Sequence, residues 1–202
     1  PEETVKNTYL SCMAKIDASK GYIINIDSYN TYLLKFNRRN VIEYNTIPYG
    51  YSNLTALNLP LDEMTALVKK ELKKCSLVKG FEEDVVLGCG SSFIDVARIA
   101  KKLTRYPVDV DNNYELSSEA VNKVVEFAKD LDTQKVKKIK GLGPEGAENI
   151  SGGLAIINAF YDTMKLSQTV VTTANPLEGI VISNLVGTAN EKYTDLLQNS
   201  LD

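Results

Sequence analysis

The chain has 202 residues, enough for one domain with a sizeable core. Hydrophobic residues make up 44% and charged residues 24%, the balance of a globular protein, and a formal net charge of -3 offers no basic field for nucleic acid. Histidine is absent, which excludes Ser-His and Cys-His nucleophile pairs and the usual zinc sites; catalysis would fall to carboxylates, hydroxyls, lysine or an oxygen-bound hard cation.

Pro1-Glu2-Glu3 opens a helical pattern in which Val5, Tyr9, Cys12, Met13 and Ile16 recur every three or four residues. A chain that begins so abruptly on a helix reads as a domain excised from something longer. Two β-prone runs follow, Tyr22 to Ile26 and Thr31 to Phe36, separated by Asp27-Ser28-Tyr29-Asn30, residues that favour turns by hydrogen-bonding their own backbone. That pattern predicts a hairpin, and a third run, Val41 to Ile47, makes it a three-stranded antiparallel meander. Tyrosines 22, 29, 32, 44, 49 and 51 crowd the meander and suit sheet packing or an interface.

Pro48-Tyr49-Gly50-Tyr51 should break the sheet, after which Leu61, Met64, Val68 and Leu72 draw one apolar helix face behind the acids Asp62 and Glu63. Asp84 to Gly88 is a short buried strand that ends in Gly88-Cys89-Gly90-Ser91-Ser92, and Phe93, Val96, Ala97, Ala100 and Leu103 mark the helix beyond. A strand, a glycine-serine turn and a helix can aim backbone N–H groups at an anion, or simply let the chain turn.

Ser117 is a candidate N-cap for a helix with Val121, Val124, Val125, Ala128 and Leu131 on one side. Lys135, Lys137, Lys138 and Lys140 then form either a solvated helix end or a rim facing a polyanion. Glu145 to Leu166 reads as a long helix containing Ser151-Gly152-Gly153, a pair of glycines that implies close packing or a close ligand. Thr169 to Thr172 is a last buried strand, and Pro176 starts a helix expected to stop near Gly187. Asn190 to Asp202, with Tyr193, Leu196, Leu197 and Leu201, allows a small docking helix.

Cys12, Cys75 and Cys89 are too few and too irregularly spaced for a disulfide framework, so each reads as a small core residue in a reducing compartment. No apolar run approaches the ~18 residues of a membrane span. A soluble, cytoplasmic protein that binds neither nucleic acid nor membrane is the expectation.

The element order resembles the ribonuclease-H-like lobe of an actin-like ATPase module: an α/β fold whose mixed sheet has three antiparallel strands extended by parallel ones, with helices on both faces. More closely, the chain resembles the exopolyphosphatase and guanosine pentaphosphate phosphatase (Ppx/GppA) family, across the second lobe of its actin-like core. The whole of residues 1–202 then corresponds to one lobe, the C-terminal half of a two-lobe module, and the missing N-terminal lobe becomes an expected partner.

The family's Glu-Glu-Ala stretch, whose second glutamate is its proposed base, is matched by Glu2-Glu3-Thr4, which places Glu3 on that base. Its phosphate loop, Asp-Ile-Gly-Gly-Gly-Ser-Thr-Glu, is matched by Asn25-Ile26-Asp27-Ser28-Tyr29-Asn30-Thr31-Tyr32. The resemblance implies that Asn30 and Thr31, with Gly90, Ser91 and Ser92 of the later glycine turn, stand where phosphate is bound. It also places Asn25 at a metal position, with Mg²⁺ as the implied cofactor. Pro176-Leu177-Glu178-Gly179 matches the closing Leu-Arg-Glu-Gly.

The substitutions change the chemistry. Three glycines let bare amides approach phosphate, whereas Asp27 repels an anion and Tyr29 fills the space. Asn25 keeps an oxygen but not the charge that holds a hard cation. Losing one preorganised oxyanion donor alone costs roughly 3 kcal/mol of barrier. The expected activity is thus a phosphoanhydride hydrolase acting on polyphosphate or guanosine pentaphosphate, weakened or lost through its degenerate loop. The alternatives are a non-catalytic binding or dimerisation module, a homodimer included, and another actin-like ATP-binding protein.

Overall fold

The structure, a computed structural model, describes residues 2–37, 40–82, 84–129 and 142–188. The lysine run at 135–140 and the segment 190–202 lie outside the described residues.

A six-stranded sheet forms the middle layer, in the order β3-β2-β1-β4-β6-β5. β1 (Lys20–Ile26), β2 (Thr31–Asn37) and β3 (Asn40–Ile47) make the expected antiparallel meander, in a register that sets Ile26 opposite Thr31 and Lys20 opposite Asn37. β4 (Val86–Cys89) and β6 (Gln168–Val171) extend it in parallel, and β5 (Tyr114–Ser117) closes the edge antiparallel to β6.

Helices cover both faces because the central strands are apolar on both sides. Along β1, Tyr22, Ile24 and Ile26 enter the larger core and Ile23 the smaller one. The larger core lies under α3 (Leu61–Leu72), α5 (Ser91–Thr104), α6 (Ser118–Lys129) and α7 (Pro144–Met164). The smaller lies under α1 (Glu2–Met13), which α8 (Pro176–Thr188) crosses. Among the described residues, no helix is long and apolar enough to cross a membrane.

Several elements differ from the sequence reading. Two short helices, α2 (Tyr51–Thr55) and α4 (Ser76–Lys79), interrupt stretches read as connections. β5 is too short to carry a visible alternation, yet Tyr114 and Leu116 are buried along it. Ser117 is both the last residue of that strand and the expected cap, its Oγ accepting the Ala120 N–H at 3.2 Å. α8 runs from Pro176 to Thr188, its last described residue, which lies one position from the expected stop near Gly187. The loop before β5 is fixed by Asp111, which receives Lys101 Nζ at 2.6 Å and Arg98 at 2.8 Å. Burial pushes that carboxyl up, but hydrogen bonds from the two cations outweigh it and hold the pKa below the usual range.

All three cysteines are buried and free, and Cys89 donates its thiol to the Ala174 carbonyl at 3.2 Å. The glycine pair in α7 answers to packing: a Cβ on Gly152 would lie 2.3 Å from the Tyr51 carbonyl oxygen, and one on Gly153 2.6 Å from Ser92 Oγ. Gly179 sets the α1–α8 crossing in the same way, since a Cβ there would lie 2.0 Å from the Asn7 carbonyl oxygen.

Gly179→Ala should therefore lower stability by roughly 1–3 kcal/mol, because backbone rather than a flexible side chain has to move. Gly80→Ala, whose Cβ would meet only the Ser76 carbonyl oxygen at 3.6 Å, should change it by less than about 0.5 kcal/mol. Urea unfolding of the two variants checks the contrast.

Candidate functional site

The parallel strands β1, β4 and β6 end on the same side of the sheet, the side where open α/β sheets bind ligands. Three connections meet there: the β1–β2 turn at 27–30, the β4–α5 turn at 90–92, and the segment 172–175.

The β1–β2 turn is held from outside as well as by its own hairpin. Asp27 N–H donates to the Asn30 carbonyl at 2.9 Å, which closes the turn. The first amides of α2 then donate to it, Tyr51 to the Asp27 carbonyl at 3.0 Å and Ser52 and Asn53 to the Ser28 carbonyl at 3.0 and 3.3 Å. Asn53 Nδ2 reaches the Tyr29 carbonyl at 2.9 Å, and Ser28 Oγ donates to the Tyr51 hydroxyl at 2.8 Å. Gly50 makes this approach feasible: a Cβ on it would lie 2.2 Å from the Asp27 carbonyl oxygen. Asn53 Oδ1 also accepts the Gly50 N–H at 2.7 Å, one half of a capping box.

Each expected site residue now has a place. Thr31 is fully buried, and its hydroxyl donates to the Tyr49 carbonyl at 2.8 Å, a bond within the chain rather than one aimed at a ligand. Asn30 contributes its carbonyl to the turn, and Tyr29 projects into solvent with 68% of its surface exposed. Asn25 is only 1% exposed; its Nδ2 donates to Thr8 Oγ1 of α1 at 3.3 Å, and it stands beside Cys89 in the sheet register. Glu3 is exposed on α1. The next residue, Thr4, hydrogen-bonds the buried Tyr32 hydroxyl, whose pKa is raised first by burial and then by the nearby Asp27 charge.

Gly90 carries φ +100°, a backbone that L residues rarely adopt, and a Cβ there would lie 2.6 Å from the Ile26 carbonyl oxygen. Ser91 and Ser92 begin α5 with no side-chain cap. They line a cavity of about 250 Å³ with Tyr51, Asp95, Gly146, Asn149 and Ile150. The buried Asp95 carboxylate presses on Gly146 in the first turn of α7, where the helix dipole favours a negative charge. Sequence reasoning missed Asp95, because on α5 it reads as an ordinary helix residue.

The sheet also divides the expected site. Asn25 and α1, with Glu3, lie on the side of the smaller core, whereas the cavity at Ser91 and Ser92 lies among α2, α5 and α7 on the other. Among the described residues, no group of three or more Cys, Asp or Glu side chains is placed to hold a metal ion. Asn25, engaged with Thr8 and carrying no charge, does not fit Mg²⁺. Two carboxylates, Asp27 at the turn and Asp95 in the cavity, oppose an incoming anion.

No protein-family model and no curated protein matches the sequence. Solved structures do. A Ppx/GppA family member from Aquifex aeolicus superposes with a TM-score of 0.77 at 18% identity, over 95% of this chain and 64% of that one. An exopolyphosphatase-like protein gives 0.76 at 16% identity, over 89% and 65%. An exopolyphosphatase from Cytophaga hutchinsonii gives 0.75 at 14% identity, over 92% and 63%. The chain thus has the actin-like fold of these proteins and spans less than two thirds of their length.

Burial pushes the Asp27 carboxyl above its usual pKa, even though the residue as a whole is exposed. A raised folded-state pKa means that the native state binds this proton more tightly than the unfolded chain. The charge therefore lowers stability as pH rises from below the unfolded carboxylate range through the folded pKa. Asp27→Asn should be more stable than the parent at pH 7, and the difference should vanish in acid; thermal melts across pH check it. Asn53→Ala, which removes the bonds to Gly50 and Tyr29, should lose about 1–2 kcal/mol in urea unfolding.

Proposed function

We propose that this chain is a diverged relative of the Ppx/GppA phosphatases, with weak or no phosphoanhydride-hydrolase activity. The observation that carries the reading is the state of the β1–β2 turn. In a working phosphate loop, free amides converge on the anion. Here the turn is tied by its carbonyls to α2, its residues include a carboxylate and a phenol, and the adjoining Thr31 hydroxyl is engaged by Tyr49.

The fold comparison supports the kinship, and Asn25 supports the loss of metal chemistry. On this reading the chain is one lobe of a two-lobe cytoplasmic protein, and phosphate polyanions or nucleotides are the ligand class from which it diverged. The hydrolase reading remains concrete: Glu3, exposed on α1, would deprotonate a water held near Asn30, Thr31 and the Gly90 turn.

Phosphate release from long-chain polyphosphate and from guanosine pentaphosphate, measured with Mg²⁺ on the longest natural chain, separates the readings. The expected outcome is no release above background and no Mg²⁺-dependent phosphate binding. Turnover that Glu3→Gln abolishes would sink the proposal in favour of a working hydrolase. A rise in melting temperature with ATP would instead indicate a nucleotide site.

A further inference from the structure

Two of the three cysteines meet between α1 and the sheet. Cys12 on α1 and Cys89 at the end of β4 are both 0% exposed and belong to the smaller core. The sheet register sets Cys89 beside Asn25 of β1, and Asn25 Nδ2 reaches Thr8 Oγ1 of α1 at 3.3 Å. Cys12 follows Thr8 by four residues, about one turn along the same helix face, so it comes down over the same strand ends. There its thiol hydrogen-bonds Cys89, whose own S–H continues to the Ala174 carbonyl at 3.2 Å.

This arrangement keeps both sulfurs protonated and in contact. The bond to Cys89 and then burial push the Cys12 thiol well above its usual pKa. Because the thiolate is the reactive species, the closed pair is inert, and reaction passes through local opening of α1 from the sheet. α1 is suited to open: its buried face mixes Asn7, Thr8 and Ser11 with Val5, Tyr9, Leu10 and Cys12, so it is held by less apolar burial than a wholly apolar face. The Lys15–Glu178 pair that ties it to α8 is partly exposed and adds little. Lys15 also favours the Cys12 thiolate, which Glu178 opposes.

We propose that Cys12 and Cys89 form an oxidation site, at which hydrogen peroxide converts the two thiols into an intramolecular disulfide that pins α1 to β4. The Cys12 thiolate attacks one peroxide oxygen, the O–O bond breaks, and a sulfenic acid forms; the departing hydroxide takes up the proton the thiol gave and becomes water. Cys89 Sγ then attacks the sulfenic sulfur, the S–S bond forms, the S–O bond breaks, and the hydroxyl leaves with the Cys89 proton as a second water. Two thiols lose two electrons in all, and one peroxide gains them. The bridge joins residues far apart in sequence, so it restrains the unfolded chain strongly. This site is independent of the phosphate-loop chemistry.

Millimolar hydrogen peroxide on the folded chain tests it, with Cys75 as internal control, since that thiol lies in the larger core and donates to the Glu71 carbonyl at 3.6 Å. The intact mass should fall by two hydrogens, and peptide mapping without reduction should join the Cys12 peptide to the Cys89 peptide alone. In urea, where the native contact is lost, all three pairings should appear together. The oxidised chain should melt roughly 5–15 °C above the reduced one, and dithiothreitol should reverse the rise. Cys12→Ala and Cys89→Ala should each melt at the same temperature before and after peroxide, a comparison within one variant that does not depend on what the substitution itself costs. A folded chain that stays unreacted, or that gains oxygen on its sulfurs without the bridge, would overturn the proposal. The mixed pairings of the urea sample appearing in the folded chain would overturn it too, and a bridge that leaves the melting temperature unmoved would show that it does not pin α1.

Discussion

The seating of the β1–β2 turn on the first amides of α2 is the contact from which the character of the ligand face follows. A helix start leaves several N–H groups without intrahelical partners, and here the Asp27 and Ser28 carbonyls satisfy them. The same bonds fix the direction of the turn. Carbonyl oxygens are oriented toward α2, Gly50 packs so closely that a methyl would collide with the Asp27 carbonyl, and Asn53 ties Gly50 to Tyr29. A loop anchored in this way braces the start of α2 against the ends of β1 and β2.

The electrostatics agree with that geometry. Phosphate needs converging donors and, for most chemistry, a hard cation held by carboxylates. The strand ends instead offer a neutral Asn25 donating to Thr8, a fully buried Thr31 donating to Tyr49, and two carboxylates, Asp27 and Asp95, on the two approaches. Asp95 packs against Gly146 in the first turn of α7, which begins at Pro144 with no side-chain cap of its own. The cavity beside Ser91 thus has the Asp95 carboxyl and the start of α7 in its wall.

Close approach by glycine is the second organising device. Gly152 and Gly153 let α7 touch both α2 and the start of α5, so the brace under the turn is continuous with the floor of the cavity. On the far face, Gly179 lets α8 lie directly on α1, and that contact sends the remaining apolar side of α8 outward. Packing on one side of a helix and exposure on the other are here two results of one crossing point.

What the sequence determined by itself was the part governed by local chemistry and period. Alternation and turn residues marked the meander, the 3.6-residue period marked α1, α3, α5, α6 and α7, and Ser117 announced its cap. The order of those elements was enough to anticipate the fold. The carboxylate of Asp27 and the phenol of Tyr29 in the turn were equally legible, because charge and bulk act on an anion wherever the chain runs. Only the tertiary structure decided which groups were engaged. The Thr31 hydroxyl, the turn carbonyls, Asp95 and the apolar side of α8 owe their surroundings to neighbours distant in sequence, such as Tyr49, α2, Gly146 and Asn7. Hydrogen-bond partners and helix faces are chosen by packing between elements, and no local pattern of residues encodes that choice.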